Sequence, residues 1–181
     1  MSGTARRYAK ALVGGTFDTL HAGHKRLLQQ ALDLGDTVVI GVTTDAMAAE
    51  TPKTHGIDDY HTRVTALEAF LEEQHARDRV VITPIEDLYG PAVTDGAAEV
   101  LVVSRETAAR AREINQLRRG RGLKPVKIRV VEMVVAEDGA PISTTRIRRG
   151  EITREGGLRT CPLTPRWRRD SPGRTVGPGA P

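Results

Sequence analysis

Two histidines three residues apart, His21 and His24, follow a pair of glycines, Gly14 and Gly15, with Thr16 and Asp18 in between. At that spacing, two imidazoles on the first turn of a helix fall on one side of it and can donate to the same oxyanion. Glycines at a strand-to-helix turn let a ligand approach the main chain, and the helix start adds free N–H groups and the positive end of its dipole. That combination suits a phosphate group. Plainer readings stand beside it. A double glycine is commonly just a turn, and a histidine pair can be surface chemistry. Two histidines also ligate metals, but only Asp18 stands near as a third ligand.

A second set lies far along the chain. Residues 141–150 read P-I-S-T-T-R-I-R-R-G. Ser143 and Thr144 are good N-cap residues for a short helix. Three hydroxyls in a row, with Arg146 beside them, make a second anion cradle. Read alone, the segment is an ordinary capped helix with solvated arginines. Two cradles at the ends of two strands, however, fit opposite ends of a triphosphate.

These residues need a scaffold that brings them together, and the apolar pattern supplies one. Short apolar runs at 11–14, 37–43, 79–83, 99–103 and 126–135 read as strands. Helical patterns separate them at about 23–34, 62–76 and 106–119, with Val64, Leu67, Phe70 and Leu71 on one face of the second. Gly35 is expected to close the first helix in the left-handed conformation, and Gly120 or Gly122 the third. Residues 44–61 are expected to form a long polar connection. Alternating strands and helices imply an α/β fold, a doubly wound, Rossmann-like, five-stranded parallel sheet in a single domain. Ligands in such sheets bind at the carboxyl ends of the strands, where strand order reverses. The first motif lies at such an end.

Composition sets bounds. A chain of 181 residues with 39% hydrophobic and 28% charged residues matches one ordinary globular domain plus a tail. Of the net +4, most sits in residues 151–181, where six arginines face three acidic residues. The body is nearly neutral, so no nucleic-acid partner is expected. A single cysteine, Cys161, allows no internal disulfide. Neither a signal peptide nor a membrane-spanning run is expected, so the protein is expected to be soluble and cytoplasmic. The domain is expected over 10–156, with a flexible N-terminus over 1–9. Residues 157–181 carry half of the ten prolines and no apolar periodicity, and are expected to form a disordered Pro/Gly/Arg-rich tail. Its Arg166, Trp167, Arg168 and Arg169 are more readily a solvated segment than an RNA contact.

The string G-G-T-F-D-x-x-H-x-G-H at 14–24, eight fixed residues in eleven, resembles the signature of the nucleotidyltransferase superfamily that includes cytidylyltransferases and phosphopantetheine adenylyltransferases. The I-S-T-T of residues 142–145 is similar to the same superfamily's triphosphate loop. Further segments, D-L-Y-G-P at 87–91, V-V-S-R-E-T at 102–107, I-N at 114–115, R-G-L-K-P at 121–125 and A-E-D-G at 136–139, resemble the archaeal phosphopantetheine adenylyltransferases, cousins of the adenylyltransferase half of animal coenzyme A synthase. The likeness runs over about residues 10–158. It departs at Thr144, where a second serine is usual; I-S-T-T also occurs in glycerol-3-phosphate cytidylyltransferases.

The resemblance implies adenylyl transfer from ATP to 4′-phosphopantetheine, giving dephospho-coenzyme A and pyrophosphate. It assigns His24 to the α-phosphate, His21 to the β- or γ-oxygens, and Thr16 to a bridge between the substrates' phosphates. Gly15, Phe17, Arg105, Ile142, Ser143, Thr144, Thr145 and Arg146 complete the ATP site, and Lys53, Leu88 and Tyr89 are expected to meet phosphopantetheine. Mg²⁺ is expected to arrive bound mainly through ATP phosphates, with no protein metal site. Asp18 is expected to steady the turn, Arg63 to be structural, and His55, His61 and His75 to be surface residues. A monomer with no membrane partner is expected. The alternatives are a sister enzyme, a glycerol-3-phosphate cytidylyltransferase or an FMN adenylyltransferase, and a non-catalytic nucleotide- or RNA-binding protein.

Overall fold

In the computed structural model, which describes residues 6–50 and 56–159, the apolar runs form five strands in one parallel sheet. They are β1 (Tyr8–Gly15), β2 (Gly35–Thr43), β3 (Val80–Ile85), β4 (Val100–Ser104) and β5 (Lys127–Val131), in the order β3-β2-β1-β4-β5. The helices are α1 (Ala22–Leu34), α2 (Asp45–Ala49), α3 (Tyr60–Glu73), α4 (Ala108–Gly120) and α5 (Thr144–Arg148). Single 3₁₀ turns occupy Arg77–Arg79 and Gly90–Val93.

Strand β1 is central because its side chains are apolar on both faces. Leu12 lies opposite Val39 of β2 and Leu101 of β4. Period-two alternation sends Ala11 and Val13 to one face, into a core shared with Leu28 and Leu32 of α1 and Leu67 and Leu71 of α3. Leu12 goes to the other face, under Ala111 and Ile114 of α4. The chain builds outward to β3, then crosses back over β1 to β4, so strand order reverses between β1 and β4. The crevice beyond their carboxyl ends is where such a sheet binds ligands.

Several expectations shift. Gly35 does not turn left-handed; its φ is −104°, and it leads straight into β2. A glycine is required there because a Cβ would lie 2.6 Å from that of Ala11. Gly122, with φ +73°, closes α4, as Leu123 N–H donates to Arg118 O and Gly122 N–H to Arg119 O. The connection after β2 contains α2, capped by Thr44, and α3 begins early because the Asp59 carboxylate accepts from Thr62 N–H at 2.8 Å.

Strand β5 stops at Val131, four residues short of the apolar run. Beyond it the chain leaves the sheet, and Val135 pairs antiparallel with Pro141. At the edges of the domain, β1 already starts at Tyr8. Leu158 pairs with Ile152, and its N–H donates to Glu137, so residues 157–159 belong to the body. The rest of the expected tail, with Cys161 and Trp167, lies outside the described residues, as do Lys53 and His55. Among the described residues no helix is long and apolar enough to cross a membrane.

Candidate active site

A cavity of about 1060 Å³ opens at the carboxyl ends of the strands, and both sequence motifs line it. The first motif is a turn between β1 and α1. Phe17 and Thr19 within it take φ of +53° and +49°, left-handed values that residues with side chains rarely adopt. Phe17 tucks its ring against Gly15, where a Cβ would stand 3.3 Å from the ring. Ile85 fills the corresponding space at Gly14 and Gly41. These glycines therefore make room for side chains of the protein itself, not only for a ligand's approach to the backbone.

His21 is the N-cap of α1, and its Nδ1 accepts from Gly23 N–H at 3.1 Å. That bond places the proton on Nε2, which becomes a donor. Burial lowers the pKa of His21 to about 4, against a smaller opposing pull from Asp18, so the ring is neutral near pH 7. The His24 ring stacks on it with centroids 3.8 Å apart and meets the edge of Phe17 at 5.5 Å. The two imidazoles therefore lie side by side at the start of α1.

The second motif closes on the first. Ser143 caps α5, its Oγ accepting from Arg146 N–H at 3.4 Å. The Thr144 hydroxyl donates to Asp18 O at 2.9 Å, across 126 positions of sequence. Arg148 Nη2 donates to Asp18 Oδ1 at 2.7 Å and lies 2.9 Å from Asp58 Oδ1. Its Nε reaches Asp18 Oδ2 at 3.3 Å, and Asp58 N–H donates to Oδ1 at 3.0 Å. Asp18 is thus more than a turn residue: its buried carboxylate joins three segments. The hydrogen bonds to Asp18 and then Asp58 hold Arg148 above the usual guanidinium pKa.

Other expected residues fall as follows. Thr16, Ile142 and Thr145 line the cavity. Arg146 lines it too, but its guanidinium pairs with Asp138 and with Glu151, the latter at 3.2 Å, and donates to Pro141 O. Its hydrogen bond holds the Asp138 carboxyl below the usual carboxylate range. Leu88 and Tyr89 line the cavity's apolar side with Ile85. Arg105 is exposed and does not line it, whereas Ser104, Glu106 and Thr107 beside it do. His61 and His75 are exposed. Among the described residues no cluster of His, Cys, Asp or Glu is placed to hold a metal ion.

Sequence reasoning missed two cations of the cavity and the depth at which a third arginine is buried. Arg110 and Arg149 line the cavity as cations. Arg63, expected to be structural, is buried to 1% exposure and serves several segments at once. It donates to the carbonyls of Thr16, Thr43 and Asp58 and to Asp45 Oδ1, all at 2.8–2.9 Å. The signal was its place on the buried stripe of α3, at i, i+4, i+7 and i+8 with Leu67, Phe70 and Leu71.

Residues 12–150 match the cytidylyltransferase-like family. The phosphopantetheine adenylyltransferase of Methanopyrus kandleri is 51% identical over 146 residues, 81% of this chain and 92% of that protein. The protein of the same name from Methanothermobacter thermautotrophicus is 50% identical over 153 residues, 84% and 91% of the two. Among solved structures, a protein of unknown function from Archaeoglobus fulgidus superposes with a TM-score of 0.60 at 32% identity, covering 67% of this chain and 97% of its own. A bifunctional NMN adenylyltransferase/ADP ribose pyrophosphatase from Francisella tularensis shares the fold, with a TM-score of 0.56 at 16% identity, over 78% of this chain and 41% of that one.

Proposed function

The chain belongs to the cytidylyltransferase-like family, and we propose that it transfers the adenylyl group of ATP to 4′-phosphopantetheine, giving dephospho-coenzyme A and pyrophosphate. The observation that carries this reading is the meeting of two remote phosphate-type segments at one cavity, with Thr144 bonded to Asp18 O. The two archaeal relatives named above supply the acceptor.

The acceptor's nucleophile is a phosphate oxygen, already ionised near pH 7, so no general base is needed. Catalysis is then alignment of two polyanions and stabilisation of charge on the α-phosphate and the leaving pyrophosphate. His24 donates to the α-phosphate, and the neutral His21 donates through Nε2 to the β- or γ-oxygens. Thr16 lies between the two substrates' phosphates. Ser143 and Thr145 hold the triphosphate tail. The Thr144 hydroxyl proton already goes to Asp18 O, so that residue serves the tail through its main chain. Arg146 reaches phosphate only by loosening its pairs with Asp138 and Glu151.

Enzymes of this chemistry use a divalent ion carried by the nucleotide, and Mg²⁺ suits the role because it keeps few protein ligands. Asp18, the carboxylate within the turn, is taken by Arg148 and Asp58 N–H, which leaves the ion to the phosphates. The apolar wing formed by Ile85, Leu88 and Tyr89 fits the pantetheine arm. A cytoplasmic location accords with two small, water-soluble substrates.

Pyrophosphate release with ATP or CTP against a panel of acceptors tests the reading. Release is expected with ATP and 4′-phosphopantetheine. Release only with CTP and glycerol 3-phosphate, or only with ATP and FMN, would move the activity to a sister enzyme on the same scaffold.

A further inference from the structure

We propose that Asp18 is a positioning residue that locks the two phosphate cradles into a single unit, acting through Arg148 and the backbone of the turn rather than on substrate. The inference rests on the adenylyltransferase reading and deepens it. Asp18 is 1% exposed and stands between Phe17 and Thr19, the two left-handed residues of the turn. Such a conformation lasts only where the surroundings fix it. The fixing contacts come from elsewhere in the chain. Arg63 holds Thr16 O, Thr144 holds Asp18 O, and Arg148 and Asp58 N–H hold the carboxylate.

The dependence runs both ways. A helix of five residues, as α5 is, has too few internal hydrogen bonds to stand alone. Arg146 ties it to Asp138 and Glu151, and the bonds that tie it to the first cradle are those from Thr144 and Arg148 to Asp18, both pointing back at the turn that carries His21 and His24. A carboxylate this deeply buried requires a partner charge, and here the partner belongs to the other cradle. Arg148 does not line the cavity, unlike Arg146 and Arg149 on either side of the helix end. Its effect on a bound triphosphate is therefore indirect.

The test is a double-variant cycle read by ATP Kd from calorimetry and by kcat and KM. The variants are Asp18→Asn, Arg148→Met and the pair together. Each single variant is expected to weaken ATP binding at least tenfold and to lower kcat as well. The double variant is expected to be within about twofold of the worse single one, because both changes remove the same lock. Multiplying losses would overturn the proposal, since they would mean that Arg148 reaches the phosphates itself. An Asp18→Asn chain with wild-type Kd would overturn it too, as would a fall in kcat that merely tracks loss of folded protein at unchanged KM.

A single variant that strands one buried charge and fails to fold leaves the double variant, which removes both charges together. Folded protein with wild-type ATP affinity there would overturn the proposal, and tenfold weaker binding would support it. The Kd arm does not depend on the acceptor. A wild-type chain that binds ATP yet makes no dephospho-coenzyme A would defeat the assigned reaction while leaving this test intact.

Discussion

His21 and His24 stack face to face, yet the proposed mechanism gives them different work. His21 is a cap whose Nδ1 is committed to Gly23 N–H, so it is held neutral and oriented. Unfolded, its imidazole takes a proton near pH 6.5; folded, only near pH 4. The unfolded chain therefore carries the extra proton between those values, and stability should fall as pH drops through that window, by about 3 kcal/mol in all. Urea unfolding at pH 7 and pH 4.5 checks this. The drop should shrink in His21→Asn, which keeps a capping side chain but has no proton to gain. His24 is assigned to the transition state. His24→Ala is expected to lower kcat by about a hundredfold or more while changing ATP affinity much less, the signature of a donor worth ~3 kcal/mol only as charge develops. Equal losses in kcat and affinity would mean that the residue simply binds.

Individual elements show what local sequence carries and what it withholds. The β-branched run at 37–43 reads as a buried strand because both its faces are covered, and β2 is one. The run at 126–135 stays rich in valine to its end despite Lys127, Arg129 and Glu132, but β5 ends at Val131, opposite Ser104, because β4 ends there and the sheet offers no further partner. Nothing within 126–135 encodes where a neighbouring strand stops. Gly35 poses the same problem in one residue: its composition fits a left-handed helix end, while the cause of the glycine is Ala11 in the adjacent strand. Gly35→Ala is expected to destabilise the protein by about 2 kcal/mol, since the new Cβ would meet Ala11 Cβ at 2.6 Å and backbone atoms within 3 Å. Gly120→Ala, with nothing within 4 Å, should be neutral or stabilising by up to about 1 kcal/mol. Chemical denaturation of the two variants side by side checks both. Arg63 was legible as structural, but not in what it does. An arginine near a helix start is usually solvated, and only the three carbonyls it serves, from three separate segments, explain its burial.

At the scale of the whole molecule, the sequence carried more of the site than its individual residues suggested. The alternation of strands and helices implied the parallel sheet, and the sheet implied the crevice where its order reverses. The two motifs, some 120 positions apart, each fitted a phosphate only weakly; their closure through Thr144, Arg148 and Asp18 makes one site. What no pattern revealed is that this closure runs through a buried carboxylate, because burial is a property of the assembled fold. The central claim is that this site leaves the innermost phosphorus of ATP open to direct attack by an acceptor phosphate. The fate of that phosphorus tests it most directly. With 4′-phosphopantetheine and Mg²⁺, label in the α-position of ATP should appear in dephospho-coenzyme A and label in the γ-position in pyrophosphate. Label from the γ-position on the acceptor, or an α-label that stays in ATP, ADP or AMP with none in dephospho-coenzyme A, would contradict it.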